Sequence, residues 1–340
     1  MKNKNILALA ITGMLIAPLT AQAANVEVYG KVRMSANMAD NGAAAPAESS
    51  TLSVSSNSSR IGFKGSEDLG NGLTALYQAE TDYSFDDANT FSARDGYVGI
   101  QGGFGKLRAG RLSSPYKMTT ASLDVWNDSP GDYNTIIRHD TRASNSIEYS
   151  SKTKDGLSFA AAYIASTVDD ELPVTAGNAD RDGISLSATF TQDKIKGTLA
   201  IENLGQGTGQ PDDKGTKIGV SYQLDNITLL NGIYEMVDDG TVDNSTIYIS
   251  GTRKMNNKYL LKGAFGSRDS TSGASDGATF LAIGVSHQYT KNVEVYALYA
   301  QVDNDAGSQL GLQKAMDGAG VANETASSVS IGINMNFSSM

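Results

Sequence analysis

Apolar and polar residues alternate along most of the chain. Ile184, Leu186, Ala188 and Phe190 share one phase, and Ser185, Ser187 and Thr189 share the other. Ile218, Val220, Tyr222 and Leu224 oppose Gly219, Ser221 and Gln223 in the same way. Near the end, Val329, Ile331, Ile333, Met335 and Phe337 oppose Ser328, Ser330, Gly332, Asn334 and Asn336. A helix needs its apolar groups three and four residues apart, so a period of two predicts strands. About sixteen such segments follow, over 25–38, 50–66, 72–86, 92–102, 105–113, 141–151, 156–168, 183–192, 195–204, 214–224, 226–237, 243–253, 257–268, 277–289, 291–303 and 326–337. In 92–102 and 226–237 apolar residues occur on both faces, which leaves the phase there ambiguous.

The connectors alternate in length. Short turns fall at Asp68–Gly72, Gly102–Gly105, Lys154–Gly156, Gln192–Lys194, Asp225, Met255–Asn256 and Thr290. Longer polar loops lie near 39–49, 87–91, 114–140, 169–182, 205–213, 238–242, 269–276 and 304–325. Antiparallel strands give this pattern when every short turn lies at one end, as in barrels that cross a membrane. Strands of roughly ten residues, tilted about 45°, span the apolar layer. In lipid an unpaired edge would leave backbone groups unsatisfied, so the first and last strands must meet. A ring that wide cannot be filled by side chains and keeps an aqueous lumen. The expectation is a 16-stranded antiparallel transmembrane β-barrel over residues 24–340, its polar phase facing water. A soluble all-β protein would bury its apolar phase in one core and has no need of the asymmetry.

The start of the chain reads differently. Lys2 and Lys4 precede an apolar run from Ile6 to Leu19, and Ala21-Gln22-Ala23 offers a small-x-small cleavage site. Residues 1–23 are therefore expected to be a secretory leader, since the run is too short to span a bilayer comfortably. There is no cysteine, which a closed barrel does not need. With Lys2 and Lys4 gone, 25 basic residues face 37 acidic ones, a balance that argues against nucleic acid as a partner. The same balance suits loose surface binding of Ca²⁺ or Mg²⁺. The 36 glycines, 15 tyrosines and only 6 prolines fit two-faced strands joined by many turns. Aromatic residues near strand ends, including Phe63, Tyr149, Tyr222 and Phe337, are expected to form interfacial girdles.

Several strings resemble a known family. These are Val28-Tyr29-Gly30-Lys31, the run from Ser59 through Arg60-Ile61-Gly62-Phe63-Lys64-Gly65-Ser66-Glu67-Asp68-Leu69-Gly70-Asn71 to Gly72, and Ala75-Leu76-Tyr77-Gln78-Ala79-Glu80. Tyr97-Val98-Gly99-Ile100, Gly103-Phe104-Gly105 and Ala109-Gly110-Arg111 continue them. Together they are similar to the general porins of Gram-negative bacteria. That resemblance implies a homotrimer in the outer membrane, a passive channel for ions and small hydrophilic solutes, and contact with lipid and lipopolysaccharide. It also implies that the third long loop, 114–140, folds into the lumen and narrows it.

By motif position, Lys31, Arg60, Arg111 and Arg142 match the basic ladder of such constrictions and Glu80 an acidic wall position. The loop itself supplies Asp124, Asp128 and Asp132, with Asp140 at its end. Alternation independently turns Lys31, Arg60, Arg142 and Glu80 toward the lumen. It places Arg108 inside and Arg111 outside, unless a bulge intervenes. Opposed charges of this kind would set a transverse field that sorts ions.

Enzymatic chemistry finds little support. His139 and His287 are the two imidazoles, and neither is accompanied by a nucleophile motif. Asp303-Asn304-Asp305 begins like a calcium loop, but Lys314 stands where the bidentate glutamate belongs. No cofactor or structural metal is expected. A solute-specific channel would show a track of lumenal aromatics, whereas the clearest inward faces carry Ser, Thr, Gly and Asn. An adhesin would conduct nothing. The net negative charge suggests weak cation preference.

Overall fold

The computed structural model describes residues 25–43, 50–87, 91–165, 182–207, 210–240, 243–270, 275–316 and 319–339. The expected leader, residues 1–23, and most of the loop expected over 169–182 lie outside them.

Strands form where the alternation places them: β1 (Asn25–Asp40), β2 in two halves (Ser50–Ser56 and Arg60–Gly70), β3 (Leu73–Tyr83), β4 (Phe91–Gly102), β5 (Gly105–Ser113), β6 (Arg142–Ser150), β7 (Leu157–Ile164) and β8 (Gly183–Gln192). The second half adds β9 (Ile195–Leu204), β10 (Asp213–Gln223), β11 (Thr228–Asp238), β12 (Asp243–Lys254), β13 (Tyr259–Ser270), β14 (Ala278–Thr290), β15 (Val293–Asn304) and β16 (Thr325–Ser338). The break in β2 spans Asn57–Ser59, where Ser58 takes a φ of +55°, and both halves pair with β1. Each strand runs antiparallel to its neighbours. Closure comes from β1 pairing with β16, from Tyr29 opposite Ser338 to Asp40 opposite Ser327. Among the described strands no edge is left for lipid to meet.

The two faces reverse the usual order of a soluble protein. Outward residues such as Val98, Phe159, Ile249, Ile283 and Ile331 stand exposed, while the inward Ser185, Lys217, Glu235 and Thr246 are buried. So continuous an apolar exterior is stable only against hydrocarbon. No helix among the described residues is long and apolar enough to cross a membrane, so the strands do the crossing.

Among the described residues the larger of two buried apolar clusters lies inside the barrel. It joins Leu123, Trp126, Tyr133, Ile136 and Ile137 of the connector between β5 and β6 to Tyr248, Phe280, Tyr296 and Leu298 of the wall. That connector, L3, is thereby folded into the lumen, as expected for 114–140. It opens with α1 (Pro115–Thr120), whose start is fixed by Pro115 and by the Ser114 hydroxyl accepting from Lys117 N at 3.2 Å. Gly215 on the wall makes room for Tyr116: a Cβ there would lie 2.8 Å from the phenol.

The final long connector, between β15 and β16, falls on 304–325, which the sequence predicts only as a longer polar loop. Instead Leu312 and Ala315 from it are buried in the same internal core, with Leu310 and Met316 packed against it. This second loop, L8, also enters the barrel.

Candidate functional site: the lumenal constriction

L3 is packed along one side of the lumen, and its other side faces a cavity that ion pairs to Asp128 bridge. Polar contacts complete the attachment. The Asp124 carboxylate accepts from Trp126 N at 2.9 Å, Tyr133 N at 3.2 Å and Tyr248 Oη at 3.2 Å. Ser250 Oγ donates to Leu123 O at 2.7 Å. Deeper on β11, Glu235 accepts from Tyr116 Oη at 3.1 Å and from Arg138 N at 3.0 Å, and pairs with Lys217 at 3.1 Å. His139 closes the loop's end, with Nε2 2.9 Å from Glu202 and Nδ1 3.3 Å from Asp213. Burial opposes a charge on this imidazole, but hydrogen bonds to those carboxylates and their field outweigh it and push its pKa up to about 9.

Opposite this anchored side, an aqueous cavity of about 480 Å³ separates L3 from β2–β6. Its lining is almost wholly charged or polar. The wall contributes Arg60, Glu80, Asp82, Arg94, Asp95 and Arg142, L3 contributes Lys117, Asp128, Asp132 and Asp140, and L8 adds Gln313 and Lys314.

The charges are interlocked. Arg60 bonds Asp128 across the gap and lies 3.7 Å from Glu80. Arg33, on β1, reaches the same Asp128 oxygen at 2.7 Å. Arg94 pairs with Glu80 at 2.6 Å and Asp82 at 2.8 Å, while Arg142 meets Asp95 at 2.6 Å. On L3, Lys117 holds Asp140 at 2.7 Å. Burial raises the Asp128 carboxyl, but Arg60, Arg33 and Arg94 together hold it below its usual range. Asp132 moves the other way, to about 6, chiefly because it is buried, although it accepts from Asn134 N at 2.8 Å and Asp128 N at 2.7 Å.

The residues singled out from sequence therefore divide. Arg60, Arg142, Glu80, Asp128 and Asp132 line the cavity. Lys31 sits on the wall opposite Arg60 in the β1–β2 pairing but does not line it. Asp124 is turned away into the core, because its carboxylate is taken by two backbone amides and Tyr248. Around Arg111 the β5–β6 register shifts between Gly110 and Leu112, with Gly110 at a φ of +146°. The bulge gives both arginines partners on β6: Arg108 meets Glu148 at 2.6 Å, and Arg111 donates to Ser144 Oγ at 2.9 Å.

Four charged wall residues were missed. Arg33 and Asp82 share the phase of Lys31 and Glu80, so alternation was signal enough. Arg94 and Asp95 are adjacent in sequence, which normally sends them to opposite faces. A register shift against Ala79–Thr81 sets both opposite Glu80 and turns both inward.

Among the described residues, no group of three or more His, Cys, Asp or Glu side chains is placed to hold a metal ion. A closed, lipid-facing barrel with a charged internal constriction defines an outer-membrane β-barrel of the porin class. A sequence profile described as "Gram-negative porin" matches residues 8–307, and the chain belongs to that family. It is 36% identical over 168 residues to the major outer membrane protein P.IB of Neisseria meningitidis serogroup B, which covers 47% of this chain and 49% of that one. Against P.IB of Neisseria gonorrhoeae, identity reaches 51% over 69 residues, or 20% of either chain. The chain thus spans about half the length, or less, of these curated relatives. Among solved structures, an anion-selective porin from Comamonas acidovorans superimposes with a TM-score of 0.80 at 22% identity, covering 92% of this chain and 100% of that one. OmpT of Vibrio cholerae, in its in-vitro folded trimer form, gives 0.68 at 17% identity, with 93% and 100% covered. These two likenesses concern the fold.

Proposed function

We propose that the protein is a general diffusion pore of the outer membrane, a passive, water-filled channel for ions and small hydrophilic solutes. The observation that carries this reading is the charged cavity between L3 and the wall. Counting Arg33, the wall side holds four arginines against three carboxylates, and the L3 side holds Asp128, Asp132 and Asp140 against Lys117. The field across the gap is modest and points from wall to loop. It would orient dipolar solutes and sort ions by charge without binding any of them tightly.

The aromatic side chains that point inward favour general over solute-specific passage. Trp126, Tyr133, Tyr248 and Tyr296 are buried in the attachment of L3 and offer a passing sugar no stacking face, while the half-buried Tyr29 and Tyr97 are tied through their hydroxyls to Glu80 and Gln78. The histidines support a non-catalytic reading. His139 is consumed as a loop anchor, and His287 sits between Tyr259 and Tyr289 at 4.4 and 4.3 Å. Counting Arg33, six cations balance six carboxylates at the constriction, so the weak cation preference rests on the overall negative charge of the chain. The reading includes a homotrimer, set in outer-membrane lipid and lipopolysaccharide after loss of residues 1–23.

Swelling of proteoliposomes in isotonic solutes tests this. Rates should fall smoothly as the solute grows from a monosaccharide to a trisaccharide, with no single sugar saturating or standing apart. Swelling confined to one solute would favour a specific channel, and no swelling at all would overturn the pore.

A further inference from the structure

Nothing in the strand pattern requires L8 to enter the barrel, yet it is held there at three points, one through a side chain and two through its backbone carbonyls. Gln313 Nε2 donates to Asn134 O on L3 at 3.0 Å. Asn37 Nδ2 on β1 donates to Lys314 O at 3.3 Å, and Ser53 Oγ on β2 donates to Ala315 O at 2.9 Å. Leu312 and Ala315, on either side, are fully buried. Lys314 between them takes a φ of +66°. Lysine, unlike Asn or Asp, has no short polar side chain to ease the left-handed region, and holding it there costs roughly 1 kcal/mol or more. Such strain persists only where the surroundings over-determine it, and here it aims one cationic side chain into the cavity. Lys314 is also among the cations that hold the Asp128 carboxyl low.

We propose that Lys314 is a selectivity-determining residue of the pore: L8 carries its charge to the constriction, where it eases small anions through and opposes cations. The proposal rests on the diffusion-pore reading. A lysine on a loop is ordinarily a solvated charge with no such role, but such a lysine needs neither a strained backbone nor buried neighbours on both sides.

The test is the reversal potential of single pores of the mature protein in a KCl gradient near 0.1 M salt. If the wild type fails to conduct, the pore reading itself fails. If it conducts, Lys314→Gln should raise the cation-to-anion permeability ratio about twofold and Lys314→Glu about fivefold, as loss or reversal of one unit charge beside the ion path requires. Lys314→Arg should keep the wild-type ratio. Lys314→Gly removes the charge and accepts the positive φ, so it should match the glutamine variant without loss of thermal stability. Wild-type ratios in the glutamine, glutamate and glycine variants would overturn the proposal. So would an arginine variant that shifts as far as glutamine, because backbone geometry rather than charge would then be responsible.

Discussion

Arg33 Nη1 donates to Asp128 Oδ2 at 2.7 Å, tying the first strand of the barrel to the loop that narrows it. Asp128 takes a φ of +55° in doing so, and Arg60 bonds the same oxygen from β2. One carboxylate thus balances two guanidinium groups across the lumen, and L3 is held on both sides, by apolar packing on one and by charge on the other.

Asp128→Asn should release that clamp and leave Arg33 and Arg60 facing the gap unbalanced. The permeability ratio is expected to move toward anions by about twofold at low salt, as loss of one unit charge near the ion path requires. Reversal potentials of the variant and wild type measure this directly. An unchanged ratio would mean that Asp128 lies off the ion path.

Asp124 gives the opposite expectation. Its carboxylate is spent on two backbone amides and a tyrosine hydroxyl inside the core, so Asp124→Ala should cost about 1–3 kcal/mol of stability, the usual penalty for orphaned buried donors. The temperature at which the barrel loses its compact migration on unheated detergent gels should fall, while ion selectivity stays as in the wild type. A selectivity change with stability intact would place Asp124 on the ion path after all.

The difference between those two aspartates marks what a sequence reader can see. Alternation exposes the strands, the closure and the inward phase of Arg60, Glu80 and Arg142, because period two is a geometric property of extended backbone. An aspartate in a long loop carries no such phase. Asp124 and Asp128 look alike until the fold shows that one carboxylate meets amides and the other arginines. Bulges hide residues for a related reason: each shifts the phase by one, so Arg94 and Asp95 read as opposite faces while both point inward. The entry of L8 was illegible because its Leu310, Leu312 and Ala315 form no periodic pattern, and only contact with L3 explains their burial.

His139 gives a pH dependence of stability. Its folded pKa of about 9 lies above the unfolded value near 6.5, so the charged imidazole stabilises fully below pH 6.5 and this contribution is lost as pH rises through 9. A loss of about 2–3 kcal/mol is expected between pH 6 and pH 10. His139→Gln should be less stable at pH 6 and should show less of that decline. Parallel denaturation curves of the two proteins at both pH values check it, and an equal decline in both would rule the histidine out.

Asp132 gives a pH dependence of selectivity in the opposite range. Its pKa is raised to about 6, so it carries charge at pH 7.5 and is largely neutral at pH 5. Cation preference should weaken over that interval, and Asp132→Asn should begin at the weakened value and change less. Reversal potentials at the two pH values decide between this and a pH-independent constriction.

The most direct measurement is planar-bilayer conductance of the purified mature protein. Large, persistent, ohmic current steps, arriving or closing in threes, are expected of a water-filled trimeric pore held open between L3 and the arginine wall. Well-folded protein that inserts into the bilayer and passes no current would contradict it, and would make the barrel a closed surface protein.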